Sequence, residues 1–463
     1  MELKTSAMEE GGILLQLYEL EYSDLMFLSS DQASSSSLSP QEMGRMESIT
    51  RTVMENLGPT GPGLLAITGV PNASNLRRKL LPLARKLALL SNEDRKRVLK
   101  EHSLGSDVPL KNLDRSVSSF AMQLKYVQAA KCTEGKGSHV GVDSHNMQQV
   151  SPDAEKLGEM QDSEFRDLRN TFKELGFCMI EVGLGLARIC DRVIGGREIE
   201  QSLLESCTAK GRLIHYHSPL DNFIMKETTR KRGSTKVWPN GSTEAERSMR
   251  NEQSNFKESG SKSCGSRSNL WQQWHYDYGI FTVLTAPMFI LPCHPQTSRT
   301  KDSPCDQICP YPGGSTYLQI FDPNKNIVLT VKASPECFIV QVGESADILS
   351  KGKLRSTLHC VCRHENLENL SRETFVVFLQ PAWSKTLSLS DHPIEHFPSS
   401  CQHSGVWTKE TESAEKELGK TIDIHKIVPS LSSRLKDEMT FAEFSRETTR
   451  QYYGPSGFQP NRS

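Results

Sequence analysis

WQQWHYDYGIFTVL, residues 271–284, sets a histidine and an aspartate two apart, His275 and Asp277, directly before a run of apolar strand formers. In a β-strand, residues i and i+2 share a face, so the imidazole and the carboxylate converge on one side of a sheet. Downstream the chain stays β-rich, in short runs divided by turns: STYLQIFDPNKNIVLTV (315–331), ECFIVQVGESADIL (336–349), STLHCVC (356–362) and TFVVFLQP (374–381). Asp322-Pro323-Asn324 and Gly343-Glu344 fall where hairpin or corner turns are needed. Short strands at this spacing, preceded by helices, predict an α+β chain: a double-stranded β-helix (jelly-roll) core with a helical N-terminal region packed on it.

Working outward, residues 1–210 read as that helical region. GLLAITGVP (63–71) is its one strand, near 63–70, followed by Leu76, Leu80, Leu83 and Leu87 at helical spacing. Ser91 with Asp94 marks the start of a further short helix. Phe165, Leu168, Phe172, Leu175, Met179, Val182, Leu186, Ile189 and Val193 alternate steps of three and four. That stripe permits a coiled coil, but Gly176, Gly183 and Gly185 each weaken an isolated helix by about 1 kcal/mol, which favours a helix lying on a sheet. Residues 211–385 hold the jelly-roll core, beginning with the strand RLIHYH (212–217). Polar, apolar-poor insertions interrupt it near 226–269 and 293–312. The segment 386–463 ends in a helix beginning near Thr440, with Glu443 as its capping partner. That helix can close the core's mouth or pack on the sheet, and packing is the expectation.

Lys and Arg number 55 against 56 Asp and Glu, giving a formal charge of -1. This balance removes the electrostatic case for a nucleic-acid backbone or an anionic membrane as partner and leaves a small molecule. There is no apolar run long enough for a signal peptide or membrane span. Twelve scattered cysteines suit a reducing compartment. The expectation is a monomeric intracellular protein, cytoplasmic or nuclear.

RSTLHCV places His359 in another strand of the same core, which completes two histidines and one carboxylate. On the inner face of a β-core, that set binds non-haem Fe(II) and leaves open positions. SRETFVVFLQP then sets Arg372 and Thr374 on one strand face, where a guanidinium fork and a hydroxyl can hold a carboxylate.

With HYD at 275–277, LQIFD at 318–322, VGESADILSKGKLRSTLHCV at 342–361 and RET at 372–374, the chain resembles the plant-type 2-oxoglutarate and Fe(II)-dependent dioxygenases, the isopenicillin-N-synthase-like group. GLLAITGVP and the helix after it look like that family's N-terminal region. The resemblance implies His275, Asp277 and His359 as metal ligands and Arg372 with Thr374 on the distal carboxylate of 2-oxoglutarate. It further implies a contact to the same carboxylate from His215-Tyr216-His217-Ser218-Pro219, by either Tyr216 or His217. Cys360 stands where the family usually has arginine. Fe(II), 2-oxoglutarate and O2 are the implied cofactors, and oxidation of a small organic metabolite, usually hydroxylation, with release of succinate and CO2 is the implied reaction. An oxidase using the triad without 2-oxoglutarate and a non-enzymatic jelly-roll scaffold are the alternatives.

Overall fold

The computed structural model describes residues 13–30, 39–126 except 111, 113 and 114, 164–233, 269–291, 307–309, 314–391 except 365, 366 and 368, and 428–453. Two sheets face each other. The smaller runs β1 (Ile13–Gln16), β12 (Ile327–Lys332), β11 (Leu318–Asp322), β14 (His359–Cys362), β7 (Leu270–His275). The larger has the path β2 (Glu19–Glu21), β3 (Leu64–Thr68), β13 (Phe338–Val342), β8 (Phe281–Thr285), β15 (Ser371–Leu379), β6 (Thr208–Tyr216), β5 (Val117–Lys125), β4 (Gly105–Ser106). Off that path, β9 (Met288–Leu291) pairs with β15 and with β10 (Gln307–Cys309). This is the double-stranded β-helix expected, with helices on the outer face of the larger sheet.

Alternation along the strands divides the core. In β13, Phe338, Val340 and Val342 join the layer under the helices, while Ile339 faces the other sheet. The space between the sheets is filled at one end by Leu64, Ala66, Leu284 and Val376 against Leu318, Ile320, Leu329 and Val331. At the other end it opens into a cavity.

The helix Leu168–Ile194 lies on the larger sheet and, among the described residues, does not pair as a coiled coil. Its glycines have a packing reason. A Cβ on Gly183 would run into Leu379 Cδ1, and one on Gly176 into Leu124 Cδ1, so both let the helix sit close to the strands. Phe165 is buried just before the helix, whereas Val193, the last member of the stripe, is exposed in the helix's final turn.

The N-terminal region holds more strand than its one expected element. β1 and β2 join the two sheets as parallel strands beside β12 and β3. β5 pairs along its length with β6. The insertion near 226–269 is helical at its start, since the helix Pro219–Gly233 runs into it, and its remainder to residue 268 lies outside the described residues. In the second insertion only Gln307–Cys309 is described, as β10. The capping pair at Thr440 forms: Thr440 N and Oγ1 donate to Glu443 Oε2, and Glu443 N donates to Thr440 Oγ1. Among the described residues no helix is long and apolar enough to cross a membrane.

Candidate active site

β7 and β14 pair so that His275 stands directly opposite His359, with ring centroids 4.3 Å apart. Asp277 lies just past the end of β7. Its carbonyl accepts from Glu344 N at 2.8 Å. That approach needs a glycine before Glu344, because a Cβ on Gly343 would sit 3.0 Å from the Asp277 carbonyl oxygen and closer still to that of Gly279. Candidate ligand atoms of His275, Asp277 and His359 all lie within 4.8 Å of one another. The expected convergence is therefore present.

The hydrogen bonds settle how the imidazoles point. Nδ1 of His275 faces the Gln273 carbonyl at 2.8 Å, and Nδ1 of His359 faces the Thr357 carbonyl at 3.0 Å. A carbonyl only accepts, so each Nδ1 carries the proton and each Nε2 of a neutral ring presents a lone pair. Both Nε2 atoms stand 3.8 Å from an Asp277 oxygen. Burial, reinforced by His359 and opposed by Asp277, pushes the His275 pKa down to about 4, so its ring is neutral at ordinary pH. Thr282 Oγ1 donates to Asp277 Oδ2 at 2.6 Å and fixes the carboxylate. Two oriented imidazoles and one carboxylate are a ligand set that suits Fe(II).

The cavity beside these three side chains has a volume of about 1510 Å³ and is lined also by Tyr216, Arg372 and Thr374. Arg372 is 2% exposed, donates through Nε to the Thr316 carbonyl and stacks with Cζ 5.0 Å from the Tyr216 ring centroid. β15 and β6 set Arg372 opposite Tyr216. Tyr216 donates to Gln272 Oε1, and the Gln272 amide nitrogen lies 2.9 Å from His275 Nε2, so one glutamine joins the two halves of the site. Thr374 Oγ1 donates to the Thr285 carbonyl at 3.2 Å.

His217 is on the other face. With His215 it points behind β6, away from the cavity, into a fully buried group with Asp221, Arg85 and Glu373. His215 Nδ1 lies 2.9 Å from both Glu373 oxygens, and Ser118 Oγ lies 2.8 Å from His217 Nε2. Burial alone would depress the His215 imidazolium, but Glu373 and Asp221 outweigh it and hold the pKa at about 9. His217, buried beside that cation, is pushed far down and stays neutral. A raised histidine pKa contributes stability that is complete below the unfolded value near 6.5 and lost as pH rises through about 9. Urea unfolding at fixed pH is expected to show stability falling across that window, and His215→Gln to flatten the fall. An unchanged slope in the variant would refute the assignment.

The terminal helix Phe441–Tyr453 does more than pack. Phe441 and Phe444 are buried against Ile348 and Leu387, as expected, but Thr449, Tyr452 and Tyr453 line the cavity. Cys360 is a buried thiol against Trp274 and Leu358, with no arginine function. The sequence reading missed Asp107, Lys210, Arg212, Gln272 and Thr282. Lys210 and Arg212 were legible in part, because the period of two from Tyr216 puts them on the cavity face of β6. Nothing local in the sequence marks Thr282 or Asp107.

Residues 291–381 match the family model of the 2OG-Fe(II) oxygenase superfamily, a segment that contains His359, Arg372 and Thr374. Fold and segment together define a 2-oxoglutarate/Fe(II) dioxygenase, an oxidoreductase whose cofactors are Fe(II), 2-oxoglutarate and O2. Among solved structures, a full-length Neurospora crassa protein in complex with alpha-KG aligns at 14% identity and TM-score 0.43, over 85% of this chain and 93% of that one. The rice dioxygenase for auxin oxidation aligns at 14% and 0.43, over 87% and 95%. A putative 2OG-Fe(II) oxygenase family protein from Caulobacter crescentus aligns at 12% and 0.40, over 87% and 99%. The comparison with curated proteins gives no match.

Proposed function

We propose that this chain oxidises a small organic metabolite, by hydroxylation, with conversion of 2-oxoglutarate to succinate and CO2. His275 Nε2, Asp277 and His359 Nε2 hold the iron. The observation that carries this reading is the orientation of the two imidazoles: each Nδ1 is committed to a carbonyl two residues earlier, and each Nε2 is aimed at Asp277. When bound, the iron and 2-oxoglutarate supply the oxidising power for attack on an unactivated carbon. The protein's own part is to bind, orient and exclude water.

Arg372 receives the distal carboxylate of 2-oxoglutarate, and the Thr374 hydroxyl turns from the Thr285 carbonyl to join it. Tyr216, not His217, is the neighbour from β6, because it shares the cavity and stacks under the guanidinium. Gln272 releases His275 Nε2 when metal takes that lone pair. The domain limits follow the same reading: 1–210 covers the outer face and lends edge strands, 211–385 carries the chemistry, and 386–463 brings the terminal helix to the cavity wall.

Arg372→Gln is expected to raise the KM for 2-oxoglutarate by roughly 10- to 100-fold, the range for losing hydrogen bonds to a charged group, with iron still bound. Tyr216→Phe should raise it about fivefold. Equal KM values in wild type and Arg372→Gln would contradict the assignment. Fractions of a metabolite extract added to the iron-loaded protein test the function itself. One or more should accelerate succinate release in step with O2 uptake, and a protein that makes no succinate from 2-oxoglutarate under any fraction is not this enzyme.

A further inference from the structure

We infer that the substrate is a small organic carboxylate whose acid group is held by Arg212; the inference rests on the proposed iron and 2-oxoglutarate site. The cavity is lined by five Lys and Arg side chains against two carboxylates, Asp107 and Asp277. Most of these cations are committed. Arg372 serves the cosubstrate. Arg115 donates through Nε to Ser118, through Nη1 to the Leu110 and Asn112 carbonyls, and through Nη2 to Ala88. Arg363 donates to the His217 carbonyl and stacks on Trp271.

Arg212 is built differently. Its Nε donates to Asp107 Oδ2 at 2.7 Å, and its Cζ lies 4.8 Å from the Phe378 ring centroid, so the plane of the guanidinium is fixed from one edge and one face. Neither terminal nitrogen makes a hydrogen bond among the described residues, and the side chain is 29% exposed in the cavity. That leaves the Nη1/Nη2 edge, which matches two carboxylate oxygens, available on a side chain that lines the cavity. Lys210 Nζ shares the same aspartate, at 2.9 Å from Oδ1, so two cations meet one carboxylate and the group carries a net positive charge.

Position supports a second anion rather than a second grip on 2-oxoglutarate. Tyr216, opposite Arg372, and Arg212, opposite Val376, lie four residues apart on β6, about 13 Å along the strand at its usual rise. Tyr278, Phe378 and Tyr453 line the same cavity. Their rings enclose an apolar body between the acid group and the iron side chains.

The test uses the anaerobic holoprotein with Fe(II) and 2-oxoglutarate, whose visible charge-transfer band is perturbed when a substrate enters. Aliphatic and aromatic monocarboxylates are compared, each beside its methyl ester. Acids, and not their esters, are expected to shift the band and to accelerate succinate release. Arg212→Gln should weaken the best acid roughly 10- to 100-fold while the band and the affinity for 2-oxoglutarate persist, which also shows that the variant is folded. Asp107→Asn should tighten the acid, since it removes the competing carboxylate. Esters that match acids, a panel in which no acid binds more tightly than its ester, or an unchanged affinity in Arg212→Gln overturns the inference. Loss of the band before any acid is added overturns the underlying iron and cosubstrate reading along with it, and is recognised by coming first.

Discussion

Asp277→Ala is expected to lose retained iron and to cut 2-oxoglutarate turnover by at least about 100-fold, because removing an outer partner of a metal ligand alone costs 10- to 100-fold. The substitution leaves His275 Nε2 and His359 Nε2 side by side without the anion that balances a divalent cation. The fold should persist, since the Asp277 backbone carbonyl still accepts from Glu344 N and the side chain gives up the bond from Thr282 Oγ1. Thr282→Val provides the graded control: the hydroxyl that fixes Asp277 Oδ2 goes while the carboxylate stays, and iron affinity should fall by about 10-fold or more. Iron content after desalting, with succinate release measured on the same samples, checks both. Wild-type iron content in Asp277→Ala would show that the metal sits elsewhere.

Arg434→Ala is expected to be the most destabilising single change in the C-terminal segment, by about 3–5 kcal/mol, the usual cost of breaking a buried ion pair from one side. Arg434 is 1% exposed and reaches Glu344, itself 3% exposed, through Nη1 to Oε2 at 2.7 Å and Nη2 to Oε1 at 2.5 Å. Its guanidinium also lies 5.9 Å from the Phe444 ring centroid and 5.4 Å from that of Tyr452. The truncation strands a carboxylate in the interior, next to the turn that carries Asp277. The terminal helix should therefore loosen, and Tyr452, whose hydroxyl accepts from Tyr276 N, should leave the cavity wall. Replacing both partners, as Glu344→Leu with Arg434→Met, removes the stranded charge and should restore most of the loss. Urea unfolding of the two variants and wild type distinguishes these outcomes. A double variant no more stable than Arg434→Ala would place the loss in packing, not in charge.

The parts of the site that could be read from the sequence are those whose geometry is local. His275 and Asp277 are separated by two residues next to a strand, and Arg372 and Thr374 within one, so the period of the strand alone brings each pair together. The jelly roll was legible because its strands are short, apolar and punctuated by turn residues. What escaped depends on long-range register. Nothing in Ile13–Gln16 or Glu19–Glu21 announces a strand, because edge strands paired in parallel gain their order from the neighbours they meet, β12 and β3. The choice between Tyr216 and His217 likewise turns on which face of β6 looks inward, a matter of pairing with β15. Asp107 meets Lys210 and Arg212 across about a hundred residues of chain, and Glu344 meets Arg434 across ninety, distances at which spacing carries no signal. The glycines of the helix Leu168–Ile194 looked like weak points and are contact points: the cost in helix propensity is offset by close approach to Leu124 and Leu379.

Anaerobic titration of the metal-free protein with Fe(II), followed by 2-oxoglutarate, tests the central claim most directly. Wild type is expected to develop the visible band of a chelated 2-oxo acid at one iron per chain. Arg372→Gln should need far more 2-oxoglutarate to reach it, and Asp277→Ala should develop none. A wild-type protein that takes up no iron, or a band of equal strength in Asp277→Ala, would contradict the account.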